Sequence, residues 1–197
     1  INWKKLPEEE FDDDLLGEYT GAGVIFGVTG GVMEAALRTA YYSLTGNEAD
    51  LLAFTAVRGL EGVKEASLDI NGTVVKVAVA SGMRNAKPLL DQIREGKSEY
   101  AFIEIMGCPG GCINGGGQPF VKECFLPNED ADIRKTYQAK RAAVLYSEDE
   151  KQVVRQSHRN KDVQRLYDEY LGKPLSHKAH ELLHTTYNSK RDRYPNK

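Results

Sequence analysis

The sequence predicts an α/β fold: a largely parallel sheet flanked by helices, with a β-hairpin set into it and a helical belt at the C-terminal end. Three observations predict it. Two runs of apolar alternation meet at Asn71-Gly72, the pattern of a hairpin. Apolar residues recur at helical spacing from Met33 to Leu44. From about Asp132 onward glycine almost vanishes, and charge and helical periodicity take over.

The first twenty residues are a polar, acidic lead-in with scattered apolar anchors, and the patch PEEEFDDD reads as a solvated segment. A start at Ile1 rather than Met reads as that of a partial chain. Val24 to Phe26 read as a short buried strand, Gly27 to Gly31 as a turn and Val32 to Leu44 as a helix. Met33, Ala36, Leu37, Ala40, Tyr41 and Leu44 share one helical face. Glu34 and Arg38 form an i,i+4 pair on another face, a modest support, and Gly46 is the stop.

In the hairpin, Ala66, Leu68 and Ile70 alternate outward and Val75, Val77 and Val79 alternate on the return; Asn-Gly suits a type I′ turn. Residues Asn85 to Arg94 read as a helix with Pro88 near its first turn, where a missing N–H costs little. Tyr100 to Met106 is apolar on both faces, which predicts a strand inside the sheet. Glu104 shares a face with Met106: either a buried carboxylate with a backbone or arginine partner, or a group near a sheet end.

The charged C-terminal part predicts three or four short helices. Val163, Leu166, Tyr167 and Tyr170 mark one apolar stripe. Ser176 caps a further helix with Ala179, Leu182 and Leu183 on its apolar face. Stripes this narrow fit helices that wrap another body rather than build their own core. The expected boundaries are 1–130, 131–188 and a frayed tail, 189–197.

Hydrophobic residues make up 41% of the 197 and charged residues 28%, as in soluble globular proteins. A net charge of -3 gives no support to nucleic-acid or anionic-membrane binding. No apolar run reaches the roughly eighteen residues of a membrane span, and no signal peptide is visible. The three cysteines, an odd number, argue for free thiols in a reducing, cytoplasmic setting.

Chemistry concentrates in IEIMGCPGGCINGGGQPF, Ile103 to Phe120. Thiolates are soft ligands suited to iron–sulfur clusters, zinc or copper(I). Backbone N–H groups free of Cβ hindrance can form a concave nest that donates to sulfides or other anions. Pro109 stiffens the loop by fixing φ. A C-x₃-C pair alone leaves two readings open, structural thiols or metal ligands, and two thiolates fall short of the four that usually hold a 4Fe–4S cluster. Cys124, in VKECFLP, reads as a small buried hydrophobe.

The run MGCPGGCINGGGQP closely resembles the last of three signature motifs of the iron-only (di-iron) hydrogenases. GAGVIFGVTGGVMEAALRT resembles that family's strand–turn–helix segment, and RAAVLY through LGKPLSHKAHELLHTTY resembles its small-subunit domain. The resemblance implies one lobe of the hydrogenase domain. It implies an H-cluster, a 4Fe–4S cubane bridged to a di-iron unit, with Cys108 as a cubane ligand and Cys112 as the bridging one. Met106 would lie beside the di-iron unit, and Phe26 and Gly27 would approach it. The implied reaction is reversible reduction of protons to dihydrogen, with electrons from ferredoxin or a similar carrier. The family's T-S-C-C-P and M-P-C-x-x-K motifs, which supply two further cubane ligands, are absent from these residues. The expectation is a C-terminal part that needs the remainder of the large subunit and is inactive alone. The alternative is a relative of the cytosolic iron–sulfur assembly factors, which lack the di-iron unit.

Other features read blandly. GVTGGVMEAAL lacks both nucleotide-binding glycine patterns, so its glycines serve turns and close packing; under the resemblance, Gly27 leaves room for a cofactor. His177, His180 and His184 share a helix side but cannot easily surround a zinc ion, so they read as surface or interface residues.

Overall fold

The computed structural model describes residues 2–9, 17–50, 56–59, 62–119 and 131–186. Cys124, the 189–197 tail and much of the acidic patch lie outside them. The chain forms two compact units, one of residues 19–160 and one of residues 1–18 with 161–197.

The larger unit starts with α1 (Gly21–Val24), which runs into a 3-10 turn (Ile25–Gly27). This corrects the expected strand at Val24 to Phe26. Thr20 caps the helix by accepting from the Gly23 N–H, and the N–H groups of Gly21 and Ala22 donate to the carbonyls of Val154 and Arg155. A three-residue apolar run is too short for periodicity to separate the two states; the cap and these partners decide it. Helix α2 (Gly31–Thr45) follows, closed by Gly46 at φ 73°.

Strands β1 (Val63–Ile70) and β2 (Thr73–Ser81) form the expected hairpin, with Asn71 and Gly72 both at positive φ, as a type I′ turn requires. Helix α3 (Met83–Arg94) then returns the chain so that β3 (Phe102–Met106) pairs with β2 in parallel. The α/β class holds, but among the described residues the sheet is mixed, in the order β1-β2-β3 with one antiparallel and one parallel pair. The tight turn forces the first pairing and the helical crossover the second. Pro88 sits inside α3, further in than expected, because the helix starts at Met83.

Alternation along β2 divides the core. Val77 and Val79 pack with Met33 and Leu37 of α2, while Ala78 and Ala80 pack with Ala86 and Leu89 of α3. The alanines keep that second face thin. Each fully buried valine or leucine contributes about 1.5–3 kcal/mol of transfer free energy.

The i,i+4 pair expected to give only modest support is the centre of a buried network. Arg38 donates from Nη2 to Glu34 (2.6 Å) and from both Nη atoms to Asp149 of α4 (Ala131–Lys151), at 2.9 and 2.8 Å. Arg155 adds a bond to Asp149 (2.6 Å) and Arg58 two bonds to Glu34 (2.8 and 2.7 Å). Gly21 allows this approach, since a Cβ there would lie 2.0 Å from Asp149 Oδ1.

In the smaller unit, α5 (Lys161–Leu166) continues as a π-helical turn (Tyr167–Leu171), and α6 (His177–Leu183) follows. Ser176 caps α6 as expected, accepting from the Ala179 N–H and donating to the Leu171 carbonyl. Leu171 and Ala179 are buried, whereas Leu182 and Leu183 stay exposed. Among the described residues no helix is long and apolar enough to cross a membrane.

Candidate cluster site

Strands β2 and β3 end side by side, with Ser81 in register with Met106. Ligand sites in α/β folds gather at such carboxyl ends. The Gly82 N–H donates to the Met106 carbonyl (2.7 Å), and the cysteine loop leaves from there. Cys108-Pro109-Gly110-Gly111 is a tight turn: the Gly111 N–H donates to the Cys108 carbonyl (3.0 Å) and Gly110 has φ 83°. Proline then glycine at the central positions is the type II pattern. The Ser81 hydroxyl accepts from the Gly110 N–H (2.8 Å) and donates to the Cys108 carbonyl (3.4 Å). A second turn follows at Cys112–Asn114, and the Asn114 side chain donates to the Pro109 carbonyl (3.1 Å).

The loop rests on the turn before α2. Thr29 N–H donates to the Gly110 carbonyl (3.1 Å), and a Cβ on Gly111 would come within 2.6 Å of the Gly27 carbonyl oxygen. That turn is clamped from the sheet by two buried charged residues. Glu104 accepts from the N–H groups of Gly30 and Met33, both at 2.6 Å, capping the positive end of α2. Lys64 donates to the carbonyls of Thr29 (2.9 Å) and Gly59 (3.1 Å). Lys64 and Glu104 both align with Val79, so they share one sheet face. The expected backbone partner of Glu104 is therefore present.

Cys108 and Cys112 are free and exposed. Beside Cys112 opens a recess of about 420 Å³, bounded by Val24 and Gly27, by Cys112 and Gln118, and by Arg141 and Leu145 of α4. Gly27 and Cys112 thus face one cavity. Part of the space left by the missing Gly27 side chain is used by α4, since a Cβ would lie 2.7 Å from Leu145 Cδ1. Phe26 is exposed and Met106 half-buried, and neither bounds this recess. A Cβ on Gly115 would sit 3.8 Å from Cys108 Sγ and 3.7 Å from Cys112 Cα, so bare backbone lies against both cysteines. Two soft, solvent-facing thiols on a glycine cradle fit one side of an iron–sulfur cluster.

Helix α4 carries the recess wall, and the buried network fixes it. Burial alone would raise the Asp149 carboxyl, but hydrogen bonds from Arg38 and Arg155 outweigh that and hold it below its ordinary value. Burial likewise opposes the charge on Arg38, yet Asp149 and Glu34 raise its pKa. Burial also pushes the Tyr146 phenol well above its usual range, with the Glu34 charge adding to the shift. Sequence reasoning missed Ser81, Lys64, Arg141 and Asp149. Only Ser81 left a signal, as a hydroxyl ending an apolar alternation. His177, His180 and His184 are all exposed, and His180 and His184 stack at 4.3 Å.

The fold and loop together match a class of cluster-bearing catalytic domains. A variant of FeFe-hydrogenase HydA1 from Chlamydomonas reinhardtii superposes with a TM-score of 0.64 at 42% identity, covering 95% of this chain and 51% of that one. The family described as iron only hydrogenase large subunit, C-terminal domain, matches residues 1–116, and iron hydrogenase small subunit matches residues 135–190. The chain belongs to the iron-only hydrogenase family. It is 47% identical to the NADP-reducing hydrogenase subunit HndD of Solidesulfovibrio fructosivorans over 95% of its length and 30% of that protein's. It is 56% identical to the periplasmic Fe hydrogenase large subunit of Nitratidesulfovibrio vulgaris over 61% of its length and 28% of that protein's. Protein NAR1 of Arabidopsis thaliana is more distant, at 29% over 95% of this chain and 38% of NAR1. The chain spans about 30% of the length of the HndD and Nitratidesulfovibrio vulgaris relatives.

Proposed function

We propose that the chain is the C-terminal part of an iron-only hydrogenase that interconverts protons and electrons with dihydrogen. The observation that carries this reading is the pair of exposed thiols on a glycine cradle that leaves the carboxyl ends of β2 and β3, with one of them, Cys112, bordering a recess walled by α4. Residues 1–130 belong to the large-subunit lobe and 131–188 to the small-subunit-like part. Cys108 and Cys112 would hold one side of a 4Fe–4S cluster, with Cys112 the link to a di-iron unit. When bound, the two iron groups supply the centre where electrons and protons combine. This chain's own task is to hold and enclose: Ser81 and Thr29 fix the turn carrying Cys108, and α4 closes the recess beside Cys112. Phe26, Gly27 and Met106 are proposed as the residues around the di-iron unit. The other two cysteine ligands come from the remainder of the large subunit, and electrons from ferredoxin or a similar carrier. We place the protein in the cytoplasm on its odd number of cysteines; one relative is named periplasmic, and cell fractionation decides between the compartments.

The assembly-factor reading is second, since identity to NAR1 is 29% against 47% to HndD. The complete enzyme with Cys112→Ala tests the first reading. The expected result is loss of hydrogen evolution and of the di-iron infrared bands, with part of the iron and sulfide retained. Unchanged activity in that variant refutes the bridging role.

A further inference from the structure

We propose that Arg141 is a positioning residue for the cysteine loop: its guanidinium staples both ends of the glycine run after Cys112 and faces its charge into the recess. This deepens the cluster reading and rests on it. Arg141 Nη1 donates to the Ile113 carbonyl and Nη2 to the Pro119 carbonyl, each at 2.9 Å. Between those carbonyls lies NGGGQ, the barest stretch of the chain.

Its first residues are held by the preceding turn, through the Asn114 N–H to the Gly111 carbonyl (3.1 Å), the Gly115 N–H to the Cys112 carbonyl (3.0 Å) and the Asn114 side chain to the Pro109 carbonyl. Beyond Gly115 little else defines the stretch. Beyond their chain neighbours, Gly116 and Gly117 have nothing within 4 Å of where a Cβ would be, and Gly117 sits at φ 90°. Inside the run, the Gln118 N–H reaches the Gly115 carbonyl only at 3.4 Å. Glycine loses more conformational freedom on ordering than any other residue, so an unpacked run needs outside anchors to keep one shape. Arg141 supplies two, at the residue after Cys112 and at the far end of the run.

A guanidinium suits this task, because its planar fork holds donors at fixed separation and reaches two carbonyls at once. A lysine ammonium is a compact point on a flexible stem. The arginine is itself held in place: two turns along α4, Asp149 anchors the helix through Arg38 and Arg155. Arg141 also borders the recess that Cys112 borders. A cation there favours an anionic group against that wall. Helix α4 is then part of the cradle and not only an outer wrap.

The test compares the complete enzyme with its Arg141→Gln and Arg141→Lys variants. Hydrogen–deuterium exchange of peptides covering 113–119 should speed up about tenfold in both, since neither side chain spans the two carbonyls. The midpoint potential of the cysteine-held cluster should move negative in Arg141→Gln and stay near the parent value in Arg141→Lys, which keeps the charge. Exchange at the parent rate in both variants overturns the staple. A potential unmoved in Arg141→Gln overturns the charge facing the recess. Should Arg141→Gln fail to fold, exchange in Arg141→Lys decides the staple, and a negative shift there as large as full loss of the charge overturns the second part. A parent enzyme without iron and sulfide would sink the cluster reading instead, and the exchange comparison, which needs no cluster, would still decide the staple.

Discussion

Gly111 and Gly115 lie four positions apart in one loop, yet the absent side chain matters for different reasons. At Gly111 a Cβ would lie 2.6 Å from the Gly27 oxygen and 2.8 Å from the Thr29 nitrogen, and φ is 98°. Both obstacles are backbone, so neither can swing aside. Gly111→Ala should cost about 2–4 kcal/mol, seen as a lower denaturation midpoint of the complete enzyme. At Gly115 φ is -86°, and a Cβ would make ordinary contacts, 3.5 Å from the Cys112 oxygen and 3.8 Å from Cys108 Sγ. Gly115→Ala should leave the midpoint within about 1 kcal/mol of the parent but lower iron and sulfide content, because the methyl intrudes where a cluster would rest. Equal losses of stability in the two variants would show that the loop is not seated on the turn at 27–29.

At the scale of elements, the joint between α2 and α4 decides whether the recess has a wall. Asp149 is buried and holds two arginines, so Asp149→Asn leaves buried positive charge uncompensated and should cost about 3–5 kcal/mol. The same carboxylate sets an acid dependence. Its folded pKa is depressed, so its contribution is complete above the unfolded pKa of about 4 and is lost as pH falls through the folded value. Urea midpoints measured from pH 6 down to 3 should fall in the parent and fall less in Asp149→Asn; parallel curves would remove Asp149 from the acid limb. This joint also shows what the sequence could and could not reveal. The hairpin and its Asn-Gly turn, the span of α2, the Ser176 cap and the thiol-bearing loop were legible, because local propensity or spacing specifies each. The expected α2 face held only in part, since Met33 and Leu37 are buried but Leu44 is 62% exposed. Glu34 and Arg38 were legible only as an i,i+4 pair; their burial depends on Asp149 and Arg58, far along the chain. The three-residue apolar run at Val24 carried no period, and its helical state comes from Thr20 and the carbonyls of Val154 and Arg155. Arg141 carried no signal of its own, since nothing local marks a side chain whose acceptors lie 22 and 28 positions away.

At the scale of the whole molecule, the described part carries features of a body made to be covered. Among the described residues β3 pairs only with β2, and it leaves Phe102 43% and Ile105 37% exposed. An apolar edge strand is a template for pairing with further backbone, and Met83 and Ile93 add exposed apolar area on α3. The two thiols on the cysteine loop supply half of a usual cluster's ligands. Both points lead to one expectation: cluster retention and burial of these apolar surfaces arise together, when the remainder of the large subunit packs on. The chain produced alone should evolve no hydrogen, hold little iron and bind a hydrophobic dye such as ANS. Produced together with the segment bearing T-S-C-C-P and M-P-C-x-x-K, it should lose dye binding as it gains iron and sulfide. Hydrogen evolution by the chain alone would overturn the ligand count. Iron gained without loss of dye binding would show that the cluster forms before the apolar edge is covered.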